Sequence, residues 1–231
     1  MNKIRLSVII PTFNEKKNIV RLIEKIQGVI PPSHEIIIVD DNSPDGTGAE
    51  VKKKYSGNSK IHLINRRQDP SLGKSVLLGI EKARGKIIIG MDADGNHKPD
   101  EIPELLNFLS RYDLVISSRF VKGGGMQNRF RYLTSYLMNF FLKIILKSKV
   151  CDLTSGFYAV KRETLLKLPI DKIYYGYGDY FIRLIYYAQK RGLLLYELPG
   201  YFADRIYGRS KSKLWLMTAD YLLTALKLRL A

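Results

Sequence analysis

Five short apolar runs, separated by segments with helical periodicity, occur in the first 120 residues of the chain. The runs are IRLSVIIP, HEIIIVDD, KIHLINRR, KIIIGMDADG and DLVISSRF. The predicted order is therefore β-α-β-α-β-α-β-α-β. Uninterrupted apolar strands joined by helical crossovers are typical of a parallel sheet that is covered on both faces. We therefore predict an α/β fold with a mostly parallel, Rossmann-like sheet flanked by helices.

Acidic residues follow two of these strands at the point where each strand ends. Asp40 and Asp41 end the second strand, and Asp92 and Asp94 follow the fourth. In an open parallel sheet, ligands bind beyond the carboxyl ends of the strands. Clustered carboxylates repel one another unless a positive charge compensates, and a hard divalent cation prefers such oxygen ligands. The pattern favours a metal site, although acids that cap a helix beginning near Asp100 would give the same spacing.

The charge of the chain indicates an anionic partner. Its 231 residues include 38 basic and 22 acidic side chains, for a formal net charge of +16. Such an excess favours binding to nucleic acid, an acidic membrane surface or a phosphorylated substrate. Cys151 is the only cysteine, which excludes an internal disulfide. The N-terminal apolar run is too short for a signal peptide, and no apolar stretch of about 18 residues predicts a spanning helix.

The chain changes character after Phe120. A glycine-rich segment, VKGGGMQNR, leads into a predicted amphipathic helix at about 131–147, and a second such helix is predicted at about 213–230. Aromatic and aliphatic residues occupy one side of the first helix. Its polar positions recur every four residues and are Arg131, Ser135, Asn139, Lys143 and Lys147. The apolar side is predicted either to lie in a membrane interface or to pack on the sheet.

Six sequence blocks in one order carry a resemblance to a known family. They are PTFNE at 11–15, DDNSPDGT at 40–47, MDADGNH at 91–97, SSRFVKGGG at 117–125, DLTSGFYAVKR at 152–162 and YFADRIYGRSKSK at 201–213. With these blocks the chain resembles the inverting, nucleotide-sugar-dependent glycosyltransferases of the GT-A fold, and more closely the dolichyl-phosphate or polyprenyl-phosphate mannose synthases. The resemblance covers nearly the whole chain. It implies one catalytic domain over 1–231, in which residues 1–120 bind the nucleotide sugar and residues 121–231 bind the acceptor.

The resemblance also implies roles for the residues at the strand ends. Asp94, as a catalytic residue, would bind Mg²⁺ or Mn²⁺ together with Asp92 and Asn96, and the ion would stabilise the leaving diphosphate. The residues implied in donor binding are Pro11, Phe13, Glu15, Asp40, Asp41, Met91, Asp92 and Ala93. Family members often have tyrosine at the position of Phe13 and glutamine at that of Asn96, so this chain lacks one hydroxyl and has a shorter amide ligand.

The same resemblance implies that the acceptor is a polyprenyl or dolichyl phosphate and the favoured donor is GDP-mannose. A phosphate oxygen is already anionic, so its attack on the sugar needs positive charge around the acceptor rather than a strong base. Arginine suits this task because its planar guanidinium group can bond two phosphate oxygens. The residues predicted to bind the acceptor phosphate are Arg119, which is also assigned a catalytic role, Arg131, Arg205, Arg209 and Lys211. A single arginine is otherwise usually part of a solvated basic surface.

A lipid acceptor implies an enzyme that works at a membrane. We expect a peripheral protein on the cytoplasmic side, with the helix at 131–147 in the interface, its aromatic residues toward the lipid and its lysines at the headgroups. The helix that contains Trp215 either docks a small membrane-spanning partner subunit or precedes further helices.

Three other functions compete with this interpretation. Transfer of glucose or another sugar from a UDP-sugar to the same lipid is barely separated from mannose transfer by the sequence. A processive polysaccharide synthase shares the DAD motif but usually adds a Q-x-x-R-W element, which is absent here. A basic nucleic-acid-binding protein would use the net charge but would not need acids at two strand ends, so no nucleic acid partner is expected.

Overall fold

The computed structural model describes residues 5–205, 207 and 214–230. The strands are β1 (Leu6–Thr12), β2 (His34–Asp40), β3 (Ile61–Asn65), β4 (Ile87–Gly90), β5 (Leu114–Ser118), β6 (Gly125–Met126), β7 (Tyr158–Lys161), β8 (Leu195–Pro199) and β9 (Tyr201–Phe202). The helices are α1 (Lys16–Val29), α2 (Thr47–Tyr55), α3 (Leu72–Lys82), α4 (Ile102–Phe108, after a 3-10 turn at Pro99–Glu101), α5 (Arg129–Leu146), α6 (Arg162–Leu165), α7 (Ile170–Ile173), α8 (Asp179–Lys190) and α9 (Leu214–Leu230). The strands and helices of the first 120 residues therefore follow the predicted order.

Seven strands form one sheet in the order β3-β2-β1-β4-β7-β5-β8. The sheet is mostly parallel, as predicted, but β7 runs antiparallel to both β4 and β5. The chain leaves β5 at its carboxyl end, passes through α5, and enters β7 beside the carboxyl end of β4. Because this excursion begins and ends at the same edge of the sheet, β7 has to run in the opposite direction.

Helices cover both faces of the sheet, which explains why the strands are continuously apolar. Val8 and Ile10 of β1 share a core with α1, α2 and α4 on one face. Ile9, between them, points to the other face and shares a core with α3, α5, α8 and α9. Successive strand residues alternate between faces, so a strand that is buried on both sides needs apolar residues at every position.

The carboxyl ends of β1, β2, β4 and β5 lie at one edge of the sheet. The register pairs Thr12 with Asp40 at this edge, and Gly90 with Tyr158. A Cβ atom on residue 90 would lie 2.3 Å from Cε1 of Tyr158, so only glycine fits between β4 and β7. The strand order therefore brings the sequence blocks that end β1, β2, β4 and β5, and the block that begins β7, to one place.

Helix α5 turns the Arg131, Ser135 and Asn139 part of its polar row toward the protein and most of its apolar side toward the solvent. Asn139 is 1% exposed, whereas Phe141 and Ile144 are 55% and 58% exposed. Leu142 and Leu146 are buried in the core, and the partly buried Met138 and Ile145 pack against it. The alternative in which the apolar side packs on the sheet is therefore wrong, because the Asn139 side of the helix takes that place.

Helix α9 packs beside α5. It buries Tyr221 and Ala225 and leaves Leu223 and Leu226 exposed. Its apolar residues therefore divide between the core and the surface, and both helices contribute exposed apolar side chains. Within the described ranges, no helix combines the length and the apolar character that crossing a membrane requires.

Candidate active site

A cavity of about 540 Å³ opens at the carboxyl edge of the sheet. Residues from the beginning, middle and end of the chain line it. Most of the predicted site residues are brought together there, namely Pro11, Phe13, Glu15, Asp41, Asp92, Ala93, Asp94, Asn96, Arg119, Arg131 and Arg205. Arg209 and Lys211 lie outside the described residues.

The segment after β4 is a tight loop held by its own polar groups. The N–H of Asp92 donates to Nδ1 of His97 over 3.1 Å, and the N–H of Asn96 donates to Oδ1 of Asp94 over 3.1 Å. Gly95 has a φ of 85°, in the left-handed region that favours glycine. The loop therefore presents the Asp92 and Asp94 carboxylates to the cavity from a fixed backbone.

The pKa values of both carboxylates lie above their ordinary range. The Asp92 side chain is 39% exposed to the cavity but lies within the body of the protein. Desolvation in this enclosed position, together with the nearby Glu15 carboxylate, raises the pKa of Asp92 to about 6. Burial and the charge of Asp92 also raise the pKa of Asp94. A bound cation would favour the charged form of both groups, which is an electrostatic reason to expect one here.

His97 connects this loop to the other side of the cavity. Its buried ring stacks on Phe157 with centroids 5.0 Å apart and meets the edge of Phe202 at 4.7 Å. Because Nδ1 accepts from Asp92, Nε2 carries the hydrogen and donates to the carbonyl oxygen of Ser155 over 3.2 Å. Burial lowers the pKa of His97 to about 4, so the ring is neutral near pH 7. His97 therefore fixes the loop in place through two hydrogen bonds.

Arg205, late in the chain, lies over the loop that follows β4. Its guanidinium group donates to the Glu15 carboxylate and lies 4.0 Å from Oδ2 of Asp94. The N–H of Ala203 donates to the carbonyl oxygen of Asn96 over 3.0 Å, which attaches this segment to the loop. The Arg205 side chain therefore offsets part of the charge of the acids. We call Glu15, Asp92 and Asp94 the acidic wall of the cavity.

A further carboxylate lies beside apolar side chains in the same cavity. Asp41 accepts from Nη1 of Arg66 over 2.5 Å and from the N–H of Ser71 over 2.9 Å. Phe13, which is 41% exposed, and Pro70 line the cavity close to this group. Flat apolar surfaces beside a few oriented polar groups suit a planar ligand such as a nucleotide base. Arg66 and Ser71 were not predicted as site residues. Their position after β3, at the same edge of the sheet, could have indicated that they lie near Asp41.

Two residues predicted to bind the donor lie beneath the cavity surface. The buried Asp40 carboxylate accepts from Oγ of Ser43 over 2.5 Å. Met91 is 1% exposed and belongs to the core. Backbone alternation explains both positions, because Asp40 and Met91 point away from the side on which Asp41 and Asp92 reach the cavity. The structure thus places the two residues in support of the site, and their neighbours line it.

Basic and neutral hydrogen-bonding side chains form another wall. Arg119, 6% exposed, pairs with Asp152 and lines the cavity. Helix α5 brings Arg131, Ser135 and Asn139 to the same place at four-residue spacing. We call Arg119 and Arg131 the basic wall. Ser135 and Asn139 belong to the predicted polar row of α5 but were not predicted as site residues, because such residues on a helix are usually solvated.

The cavity is apolar where α5 and α9 approach each other. Met138 of α5 and Met217 of α9 line it, together with Phe181 and Tyr221. Methionine is flexible and fits irregular apolar ligands. The cavity therefore combines an acidic wall, a basic wall and an apolar region.

The loop that follows β4 can hold a divalent cation if a bound diphosphate supplies part of the coordination shell. The side-chain oxygen of Asn96 is buried without a hydrogen-bond partner, and Asp92 and Asp94 add carboxylate oxygens. Over the part of the chain that the structure describes, no group of three or more His, Cys, Asp or Glu side chains could hold a metal ion. Oxygen donors suit Mg²⁺ or Mn²⁺, and a diphosphate would provide the missing ones.

Comparison with known proteins identifies relatives of this chain. Residues 7–168 match the sequence profile of the family described as Glycosyl transferase family 2. An undecaprenyl-phosphate mannosyltransferase from Micrococcus luteus is 32% identical over 213 residues, which cover 90% of this chain and 87% of that protein. A polyprenol monophosphomannose synthase from Mycolicibacterium smegmatis is 34% identical over 214 residues, which cover 90% of this chain and 80% of that protein.

Solved structures share the fold. Glucosyl-3-phosphoglycerate synthase from Mycobacterium tuberculosis, in complex with phosphoglyceric acid, matches with a TM-score of 0.76 and 22% identity over 97% of this chain and 79% of that chain. The same enzyme in complex with Mn²⁺, UDP and phosphoglyceric acid matches with a TM-score of 0.76 and 21% identity over 97% and 78%. At this identity the likeness establishes the fold alone, and it confirms the fold class predicted from the sequence.

Proposed function

The chain belongs to glycosyl transferase family 2 and has the GT-A fold, and we propose that it transfers mannose from GDP-mannose to a polyprenyl or dolichyl phosphate. The products would be the polyprenyl-phosphate sugar, with inverted configuration, and GDP. The predicted family resemblance is confirmed, since relatives at 32% and 34% identity are polyprenyl-phosphate mannose synthases. The identity of the donor and the lipid of this chain are the proposal.

One observation carries the proposal: the acidic and basic walls belong to a single cavity that also has an apolar region. Asp92 and Asp94 suit a nucleotide sugar whose diphosphate is bound through a cation. Arg119 and Arg131 suit an anionic acceptor. The apolar region suits the first part of a lipid chain. A protein that binds nucleic acid by charge alone would need an open basic surface rather than this enclosed combination.

On the donor side, Asp92, Asp94 and Asn96 would hold Mg²⁺ or Mn²⁺ together with the diphosphate. The bound ion would act as a Lewis acid that stabilises the charge of the leaving diphosphate. Phe13 would contact the base or ribose, with Asp41 as a hydrogen-bond acceptor at its edge. The complex of glucosyl-3-phosphoglycerate synthase with Mn²⁺ and UDP supports a divalent cation in this fold.

On the acceptor side, the proposed reaction needs no general base. An oxygen of the lipid phosphate, which is anionic near neutral pH, forms a bond to the anomeric carbon of the sugar as the bond from that carbon to the diphosphate breaks. Attack from the side opposite the leaving group inverts the configuration. The carboxylate of Asp152, beside the basic wall, is already engaged, since it pairs with Arg119.

The exposed apolar side of α5 would attach the protein to a bilayer. Phe140, Phe141 and Ile144 are 48%, 55% and 58% exposed, and the neighbouring Lys147 is exposed as well. Aromatic and aliphatic side chains beside a lysine are typical of helices that lie in a membrane interface. A polyprenyl chain stays in the hydrocarbon layer, so a peripheral position on the cytoplasmic side of a membrane would bring the cavity to its acceptor.

A donor screen with dolichyl phosphate tests this function. We expect lipid-linked mannose to form from GDP-mannose when Mn²⁺ or Mg²⁺ is present, and no product from Asp94→Ala. Transfer from UDP-glucose alone would instead assign the protein to the UDP-sugar alternative. Failure of every donor, combined with salt-sensitive and metal-independent binding to duplex DNA, would contradict the proposed activity.

A further inference from the structure

Arg119 is held along one edge of its guanidinium group. Nε donates to Oδ2 of Asp152 over 2.8 Å, and Nη2 donates to Oδ1 over 2.7 Å. Nη2 also donates to Oγ1 of Thr154 over 2.8 Å. The backbone N–H of Arg119 donates to Oδ2 of Asp152 over 2.9 Å. The hydrogen of Nε and both hydrogens of Nη2 are therefore used inside the protein.

Nη1 is the nitrogen of the Arg119 guanidinium group that is left to bind a ligand in the cavity. Within the described ranges, Nη1 has no hydrogen-bond partner, and Arg119 is a lining residue. The rings of Phe120 and Phe202 each have their centroid 4.9 Å from the guanidinium carbon. A planar group that is bonded along one edge and packed against two rings has little freedom to rotate. Nη1 is therefore presented in one direction.

Asp152 is itself fixed by the sheet. Its side chain is completely buried. Glu197 of β8 accepts from the N–H of Asp152 over 2.9 Å and from the N–H of Cys151 over 2.8 Å. The Glu197 carboxylate thus binds two backbone N–H groups of the turn at 151–154. These bonds set the position from which Asp152 reaches Arg119.

The same turn is attached to α5. Oδ1 of Asn139 accepts from the N–H of Leu153 over 2.7 Å, and Nδ2 of Asn139 donates to Oγ1 of Thr154 over 2.8 Å. Asn139 lies two four-residue steps after Arg131 on the inner side of the helix. One network of hydrogen bonds therefore determines how the two arginines of the basic wall lie relative to each other.

We propose that Asp152 is a positioning residue for sugar transfer, which holds Arg119 so that Nη1 is presented to the acceptor phosphate. The proposal rests on the proposed function, since it assumes a phosphate acceptor. Asp152 touches no substrate and acts through Arg119. A purely structural Asp152 would do no more than compensate a buried arginine. Its loss would then lower stability without any preference for the acceptor.

Steady-state kinetics of the full chain separate these two roles. We expect Asp152→Asn to raise the KM for dolichyl phosphate roughly tenfold to a hundredfold, as small displacements of a positioning group do, and to leave the KM for GDP-mannose unchanged. Glu35→Gln is the matched control. Glu35 is buried and pairs with Arg84 over 2.8 Å at the opposite edge of the sheet. Its variant should lower the Tm without changing the KM for the acceptor.

A second pair of variants keeps the test decisive if Asp152→Asn does not fold. Thr154→Val removes the Oγ1 acceptor of Nη2, whereas Thr154→Ser retains a hydroxyl. We expect Thr154→Val to raise the acceptor KM by a smaller factor and Thr154→Ser to match the wild type. An unchanged acceptor KM in folded Asp152→Asn, equal values for the two Thr154 variants, or a change confined to the donor KM would overturn the proposal. Absence of transfer to any polyprenyl phosphate by the wild type would overturn the proposed function instead, and no variant is needed to see it.

Discussion

Arg205 donates a hydrogen bond to the carboxylate of Glu15, a residue 190 positions earlier in the chain. The two side chains are 12% and 5% exposed. The contact joins the segment after β9 to the turn between β1 and α1, directly beside the acids that follow β4. It therefore links distant parts of the chain across the cavity and places a positive charge against the acidic wall.

Removing this cation is expected to destabilise the ligand-free protein. Arg205→Gln should lower the free energy of unfolding by about 3 kcal/mol, because the buried Glu15 carboxylate loses the charge that offsets its desolvation. Urea unfolding measures the loss. Glu15→Gln combined with Arg205→Gln should recover much of it, since the buried carboxylate is then gone. A double variant whose loss equals the sum of the single losses would show that the two residues are not coupled.

Loss of the Asp94 charge is expected to stop turnover while the fold persists. Asp94→Asn keeps the size of the side chain and the oxygen that accepts from Asn96, but it removes the charge proposed to bind the cation. We expect kcat to fall by roughly 10²–10³-fold or more. Asp100→Asn, at an exposed position in the 3-10 turn, is the control and should retain activity. Near-normal kcat in folded Asp94→Asn would contradict the assignment of Asp94.

The raised pKa of Asp92 predicts a pH-dependent effect on stability. Because this pKa rises from 3.8 to about 6 on folding, the folded state binds more protons than the unfolded state between these values. The contribution of Asp92 to stability therefore falls as the pH rises through this window. We expect Asp92→Asn to be more stable than the wild type, by a margin that grows from about pH 4 to about pH 6 and is constant above.

Urea unfolding of both proteins across this range gives the margin directly. The lowered pKa of His97 acts in the opposite direction over part of the same range. Both proteins contain His97, so taking their difference largely removes its effect. A margin that does not change with pH would show that Asp92 ionises in the folded state as it does in the unfolded chain.

The exposed side of α5 predicts binding to lipid vesicles. Phe141 is 55% exposed, and burial of such a side chain in an apolar phase contributes roughly 1.5–3 kcal/mol. We expect Phe141→Glu to weaken binding to vesicles that contain anionic lipid by about tenfold or more. Activity toward a short, water-soluble polyprenyl phosphate should remain.

Leu166→Glu makes a similar change on another surface. Leu166 is 41% exposed and follows α6, at the opposite edge of the sheet from the cavity. Its variant should bind vesicles like the wild type. Equal weakening in both variants would indicate a general effect of added negative charge. Unchanged binding by Phe141→Glu would contradict the placement of this side of α5 in a membrane interface.

The location of the acidic wall was predictable because it depends on local patterns. Apolar runs identify β1, β2 and β4, and parallel strands place their carboxyl ends at one edge. Asp92 and Asp94 of the acidic wall follow one such end, and Asp41 follows another, so all three were expected at the same edge. The direction of β7 was not predictable in this way. Its four residues form a short, mostly apolar strand that has no local preference for either orientation.

The sequence by itself determined the order of the elements, the acids at the strand ends and the side of α5 on which Arg131 and Asn139 both lie. Only the tertiary structure decided that this side faces the cavity and that the aromatic side faces outward. Helical periodicity states which residues share a side but not what that side meets. The pairing of Arg119 with Asp152, 33 residues apart, likewise requires both backbones to be in place. Hydrogen bonds between distant segments depend on distances and angles that no local pattern specifies.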